Sequence, residues 1–247
     1  MSTRVAVVGA SGRMGRLISR IVAETEGFEL AAELGSSDSL DGLAGHDLVV
    51  DVTVPAVSPE VVSAAVRAGA KVLVGTSGWS AQRLASLDPL LREHPDAGIL
   101  VVPNFSLGSV LATSFAAQAA RFFESAEIIE AHHAAKIDSP SGTAVRTAEL
   151  MNAARAELGP VQAPHSDQLA RGQLVAGIPV HSLRLTGVVA QQQVMLGGAG
   201  EVLTIGHQTL SPSSYEGGIR LGLRTALQTT GLVVGLDAAL GLPGATS

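Results

Sequence analysis

Residues 130–144 read EAHHAAKIDSPSGTA, and they gather two histidines, a lysine, an aspartate, two serines and a threonine into a few turns of chain. They do so in a protein whose residues are 46% apolar. His132 and His133 close the apolar run AEIIEAHH at 126–133, which reads as a strand. Neighbours on a strand point to opposite faces, so at most one of the two faces a given ligand unless the strand has already broken. Lys136 follows four positions after His132. SPSGTA then has the form of a helix start, with Ser141 as N-cap, Gly142 leaving the backbone open and Thr143 adding a hydroxyl. Such a start binds carboxylate or phosphate. A lysine and a helix start converging near a histidine suit an anionic substrate and a histidine proton donor. Each residue also has a plain structural reading: a core histidine, a surface lysine, a cap that only caps. Adjacent histidines are poorly disposed to share one ion, and no third ligand stands at characteristic spacing, so no metal is expected.

A second constellation is GASGRMG, Gly9 to Gly15, directly after the run RVAVV (4–8) and directly before a helical pattern. Glycine permits a tight turn and lets backbone N–H groups approach a pyrophosphate. The helix start adds partial positive charge and unpaired donors. The three glycines are spaced three apart, one position off the common dinucleotide pattern. Arg13 and Arg16 stand at the mouth of the turn, either solvated or as phosphate partners. VGTSGW (74–79) and VVPNFS (101–106) also break from apolar run to small polar residues. Ligands of open parallel sheets sit beyond the carboxyl ends of the strands. Gly75, Thr76, Ser77, Asn104 and Phe105 are therefore expected to line the same crevice.

The elements that must position these residues follow from periodicity. Runs at 4–8, 28–34, 47–53, 71–76 and 98–103 read as buried strands, with helical patterns at 13–24, 59–70 and 81–94 between them. This alternation predicts an α/β fold with a Rossmann-type parallel sheet covered on both faces. After Pro103 the pattern changes: a helix at about 107–123, the strand 126–133, a helix from Ser141 to Leu158 and an irregular segment at roughly 159–177. IPVHSLRL, GVVAQQQVML and GEVLTIGHQ then follow without helices between them, which predicts an α+β domain on a mixed or antiparallel sheet. From about Glu216 the chain returns to helix. The expected domains are 1–104 with 216–247 for a dinucleotide, and 105–215 for substrate binding and oligomerisation.

Composition narrows the function. The net charge is −6 with no basic run and few aromatics, which argues against nucleic-acid binding. The absence of cysteine excludes disulfides and thiolate catalysis. VAVVGA is too short for a signal peptide, no apolar run approaches membrane-spanning length, and a cytoplasmic protein is expected.

The chain resembles the dihydrodipicolinate reductase family over nearly its whole length, in the style of the actinobacterial branch. The resemblance rests on VVGASGRMGRLI (7–18), VDVTVP (50–55), VGTSG (74–78), PNFSLG (103–108), EAHHAAKIDSPSGTA (130–144), IPVHSLRLTGVVAQQQVM (178–195) and GEVLTIGHQT (200–209). It implies a homotetramer that reduces the cyclic imine dihydrodipicolinate, a dicarboxylate formed from 4-hydroxy-tetrahydrodipicolinate, with NADPH or NADH. His132 would be the general acid and His133 a substrate contact. Lys136 would bind one substrate carboxylate and assist protonation. Ser141, Gly142 and Thr143 would hold the other. Gly9, Ala10, Ser11, Gly12, Arg13 and Met14, with Gly75, Thr76, Ser77, Val102, Pro103, Asn104 and Phe105, would wrap the cofactor. The sequence departs from the family pattern at Ala135, Ser139 and the glutamines 191–193. A reductase of a related cyclic imine and a non-catalytic dinucleotide-binding regulator are the other readings. Gly35 stands where dinucleotide folds often carry an acid against the ribose, with Glu33 before it and Asp38 beyond. The sequence therefore predicts that NADPH is used at least as well as NADH.

Overall fold

A computed structural model of the chain describes residues 2–242. The end of the expected first-domain segment, 243–247, lies outside the described residues. The strands in chain order are β1 (Thr3–Val8), β2 (Phe28–Leu34), β3 (Leu48–Asp51), β4 (Lys71–Val74), β5 (Gly98–Val101), β6 (Ser125–His133), β7 (Gln173–Val175), β8 (Ile178–Leu185), β9 (Ala190–Gly198), β10 (Glu201–Thr209) and β11 (Gly231–Val234). The α-helices are α1 (Arg13–Glu24), α2 (Ser58–Arg67), α3 (Ala81–Ala85), α4 (Asp88–Glu93), α5 (Leu107–Ala120), α6 (Gly142–Ala154) and α7 (Glu216–Gln228). The described chain divides into two compact units, one reaching Phe105 and resuming at Tyr215, the other Ser106–Ser214.

The first unit is a parallel six-stranded sheet in the order β11-β5-β4-β3-β1-β2. All four residues of β3 and of β5 are buried, which is why these strands are unbroken apolar runs rather than alternating ones. α1 buries Gly15, Ile18, Ser19, Ile21 and Val22, one face at helical spacing. The chain order reverses between β1 and β3, and a crevice opens at the carboxyl ends of strands flanking such a switch. Both the glycine turn after β1 and the turn after β3 lie there.

Three local expectations change. The single helix expected over 81–94 is two, because Pro89 sits in the first turn of α4 and cannot continue a preceding helix. The irregular segment contains β7, which pairs with β8 across a two-residue turn at Ala176 and Gly177. Their φ values of 48° and 81° are the positive pair that a tight hairpin turn requires. After α7 the chain adds β11 beside β5.

The second unit is a mixed five-stranded sheet, β10-β9-β6-β8-β7, with β6 and β8 parallel and the other pairs antiparallel. α5 and α6 supply Ala116, Ala120, Ala144, Ala148 and Met151 to a core shared with Ile128, Ile178, Val180, Val194 and Leu196. Along β6 the inward positions are Ala126, Ile128 and Glu130, all buried, and His132 continues that phase. A carboxylate thus stands in a row of core positions.

Candidate active site

In the first unit the glycine turn is held by the backbone. Gly9 donates to Leu34 O at 2.8 Å, and Gly12 donates to Gly9 O at 3.0 Å. Gly9 has φ +87°, and a Cβ on it would lie 2.6 Å from Val52 O, so no other residue fits. A Cβ on Gly15 would lie 2.2 Å from Gly9 O, so this glycine lets α1 close onto the turn. Gly12 is different. Its φ of −73° is ordinary, and a Cβ there would meet only Gly9 O, at 3.2 Å. Folding demands glycine less strictly there than at Gly9 or Gly15, since a side chain would require Gly9 O to give by only a few tenths of an ångström, whereas a pyrophosphate approaching the backbone does call for glycine. No side chain caps α1 and no acid stands in its first turn. Its first N–H groups lack intrahelical acceptors by geometry and suit an anion. The turn therefore fits a dinucleotide. Arg16 commits a guanidinium N–H to Ser11 O, and Arg13 is exposed at the mouth.

Neighbouring strand ends of the same unit lie beside this turn. Asp51, fully buried at the end of β3, accepts from Thr53 N at 3.0 Å, Thr53 Oγ1 at 2.6 Å and the Ser58 hydroxyl, which in turn accepts from Trp79 Nε1 at 3.1 Å. Gly75 N donates to Asp51 O at 2.8 Å, and Thr76 is buried against the same carbonyl. One aspartate thus fixes the turns after β3 and β4, and it is absent from the residues singled out above. An acid at the end of the apolar run DLVVD was its signal. Ser77 and Pro103 are exposed, Asn104 is half-buried and Val102 is buried. The Phe105 ring is also buried, beneath Gly75, where a Cβ would lie 2.7 Å from Cε2.

At the end of β2, Gly35 N donates to Asp38 Oδ2 at 2.7 Å. Asp38, placed further out by sequence reasoning, is folded back onto the strand end. The strand end that carries Gly35 thus presents a carboxylate after all.

The polar cluster of the second unit is built around Glu130. Its carboxylate has no solvent exposure, and it accepts from Arg184 Nη1 at 3.0 Å and Nη2 at 2.9 Å, from Ser141 N at 3.2 Å, and pairs with His132 Nδ1 at 2.6 Å. Burial pushes this carboxyl up, but the bonds from Arg184, Ser182 and His132 outweigh it and hold Glu130 below the usual carboxylate range. His132 is half-buried. Burial lowers its pKa below the usual histidine value, Glu130 opposes that, and Lys136 and Arg184 reinforce it. With Nδ1 committed to Glu130, Nε2 is the nitrogen available to a reactant. His133 takes the next position on the strand, on the other face, and is exposed.

Lys136 Nζ lies 2.7 Å from Asp138 Oδ1, and Arg184 Nη2 donates to Asp138 O at 2.6 Å. Ser141 is the N-cap of α6, its Oγ accepting from Ala144 N at 3.2 Å. Gly142 is exposed, with open space where a Cβ would stand, and Thr143 follows it, half-buried. Gln192, within the departure from the family pattern, donates to Thr147 Oγ1 at 2.9 Å, and Thr147 bonds Thr143 O at 2.8 Å. His132, Lys136 and the start of α6 are thus gathered in one unit, while His133 is not drawn into the Glu130 network. Among the described residues no group of three or more His, Asp or Glu side chains is disposed to hold a metal ion, and no helix is long and apolar enough to cross a membrane.

Two family models match in tandem: dihydrodipicolinate reductase, N-terminus, over residues 3–105, and dihydrodipicolinate reductase, C-terminus, over 108–240. The chain is 61% identical over 244 residues to the 4-hydroxy-tetrahydrodipicolinate reductase of Clavibacter michiganensis subsp. michiganensis, covering 99% of this chain and 88% of that one. It is 47% identical to the reductase of the same name from Streptomyces griseus, covering 97% and 98%. Among solved structures, a dipicolinate-bound dihydrodipicolinate reductase from Paenisporosarcina sp. TG-14 matches with a TM-score of 0.81 at 30% identity, covering 96% and 99%.

Proposed function

The chain belongs to the dihydrodipicolinate reductase family, and from that premise we propose how its own residues carry out the reaction. It is an NAD(P)H-dependent oxidoreductase of lysine biosynthesis that reduces dihydrodipicolinate, formed from 4-hydroxy-tetrahydrodipicolinate, to tetrahydrodipicolinate. The observation that carries the residue assignment is the Glu130–His132 pair beside Lys136 and the start of α6.

The cofactor supplies a hydride to the conjugated imine, and the protein must supply one proton for each hydride. His132 Nε2 holds that proton. The free enzyme disfavours the imidazolium through burial, and a bound dianion offsets this by bringing two negative charges to the site. Lys136 takes one substrate carboxylate, exchanging its bond to Asp138 for one to the ligand. Ser141, Gly142 and Thr143 form the helix start that takes the other; His133, the last residue of β6, makes its substrate contact only where the chain leaves the strand. In the first unit Gly9, Ala10, Ser11, Gly12, Arg13 and Met14 bind the pyrophosphate. Gly75–Ser77 and Val102–Phe105 line the remainder of the cofactor site, with Val102, Thr76 and Phe105 acting through backbone atoms and wall shape because their side chains are buried. Purified protein supplied with enzymatically generated substrate should consume NADH or NADPH, read as loss of reduced-nicotinamide absorbance. Turnover confined to other cyclic imines would sink the assignment.

Asp38 governs cofactor choice in this reading. A carboxylate bonded to the Gly35 amide suits a ribose hydroxyl and repels a 2′-phosphate. NADH should be used at least as well as NADPH, and Asp38→Ala should raise the NADPH/NADH ratio of kcat/KM by about tenfold, equivalent to ~1.4 kcal/mol. An unchanged ratio in the variant would return the ribose contact to Glu33.

The protein forms a homotetramer in the cytoplasm, where reduced nicotinamide cofactors are held. In support, β10 is a nine-residue edge strand that leaves Val202 64% exposed, beside Leu203 at 38% and Met195 on β9 at 38%. An apolar edge of that length is normally paired or covered. Sedimentation at micromolar concentration should give four times the chain mass; a monomer, or recovery with membranes on fractionation, would overturn this.

A further inference from the structure

Groups from four residues converge on the buried carboxylate of Glu130: the Nδ1 side of His132, the backbone N–H of Ser141 at the start of α6, both terminal nitrogens of Arg184 from β8, and the side chain of Ser182 on the same strand. Arg184 also reaches the Asp138 carbonyl, so the loop carrying Lys136 is tied to the same point. The Arg184 Nε is buried without a hydrogen-bond partner, so the guanidinium is held there by what its Nη groups bind. Such a carboxylate has one geometry. It stays an acceptor, because a protonated Glu130 would forfeit the charge that holds the buried guanidinium.

We infer that Glu130, clamped by Arg184, is the positioning residue of the reaction: it fixes the ring of His132 with its proton on Nδ1 directed inward, so that Nε2 serves substrate, and it holds the helix start that grips a substrate carboxylate in register with that acid. The inference rests on the reading of His132 as the proton donor. The charged groups facing the His132 ring are Glu130 on its own strand, Lys136 on the following loop and Arg184 on β8. Only Glu130 favours the imidazolium, so removing its charge leaves two cations and burial acting against protonation. His132 then loses its proton at lower pH, and the fall of kcat/KM on the alkaline side moves down with it.

The test is Glu130→Gln alone and combined with His132→Ala, measured across pH. Alone, it should lower kcat by about 10- to 100-fold, the usual cost of losing a group that orients a reactive histidine. It should also shift the alkaline fall of kcat/KM down by roughly one pH unit. In the His132→Ala background it should lower kcat little further, because the group it acts through is gone. A full additional loss in the double variant, or an unshifted pH profile in the single one, overturns the inference. An active His132→Ala enzyme instead removes the proton-donor reading itself, so the two failures are distinguishable. Nitrogen-15 NMR of labelled histidine in the unaltered protein gives an answer that does not depend on the variants folding. Neutral His132 should carry its proton on Nδ1, and an Nε2–H tautomer would overturn the inference.

Discussion

Replacing His132 by alanine should lower kcat by about 10²–10⁴-fold, the usual worth of a positioned general acid. Dinucleotide binding should be untouched, since the glycine turn belongs to the other unit. The size follows from what remains. Lys136 is an alternative donor, but its ammonium is engaged by the Asp138 carboxylate in the free protein and, on the proposed reading, by a substrate carboxylate in the complex. Water can still deliver a proton, which sets the residual rate. The fold should survive, because Glu130 keeps Arg184 and Ser141 after the imidazole is removed. The kinetic signature is a matching fall in kcat and kcat/KM, as for an interaction made only in the transition state. Calorimetric titration with NADH and steady-state kinetics together read this out. A fall in kcat smaller than about tenfold would pass the proton to Lys136 or to water.

What was legible in the sequence was what leaves a local trace. The strands of the first unit could be read because burial on both faces demands continuous apolar runs such as LVVD and GILV. The glycine turn and the stretch from His132 to Thr143 stand out in the sequence because their small and polar residues are packed into adjacent positions. β11 was missed because four apolar residues after a helix do not declare a period. Glu130 was quoted in the sequence and given no role, although a residue two before His132 on a strand shares its face. Its partner Arg184 lies 54 residues away, and only the parallel pairing of β6 with β8 brings the two together. Asp38 shows the opposite limit. Its return to the Gly35 amide is a property of a four-residue turn, and distance along the chain pointed the other way. The Asp51 contacts fall between these cases: Thr53 is adjacent in sequence, while the link through Ser58 to Trp79 needs the folded sheet.

Replacing Gly12 by valine should abolish useful cofactor binding while leaving the protein folded. The two effects separate at this glycine because its backbone is unstrained and a Cβ would contact only Gly9 O, at 3.2 Å. The structural cost is a poorer helix start, about 1 kcal/mol. Gly9 and Gly15 offer no such separation, since a Cβ at either would lie 2.6 Å or less from backbone and would force the turn apart. The valine methyl groups instead fill the space through which a pyrophosphate reaches the first N–H groups of α1. Hydrogen bonds to a charged group are worth about 1.5–3 kcal/mol each. Losing two of them costs about 3–6 kcal/mol, or roughly 10²–10⁴-fold in Kd. Fluorescence titration with NADH should show that loss, with an unfolding midpoint close to that of the parent protein. Binding weakened by less than about tenfold would mean that the pyrophosphate does not lie on this turn. A collapse of the unfolding midpoint would mean that Gly12 serves the fold instead.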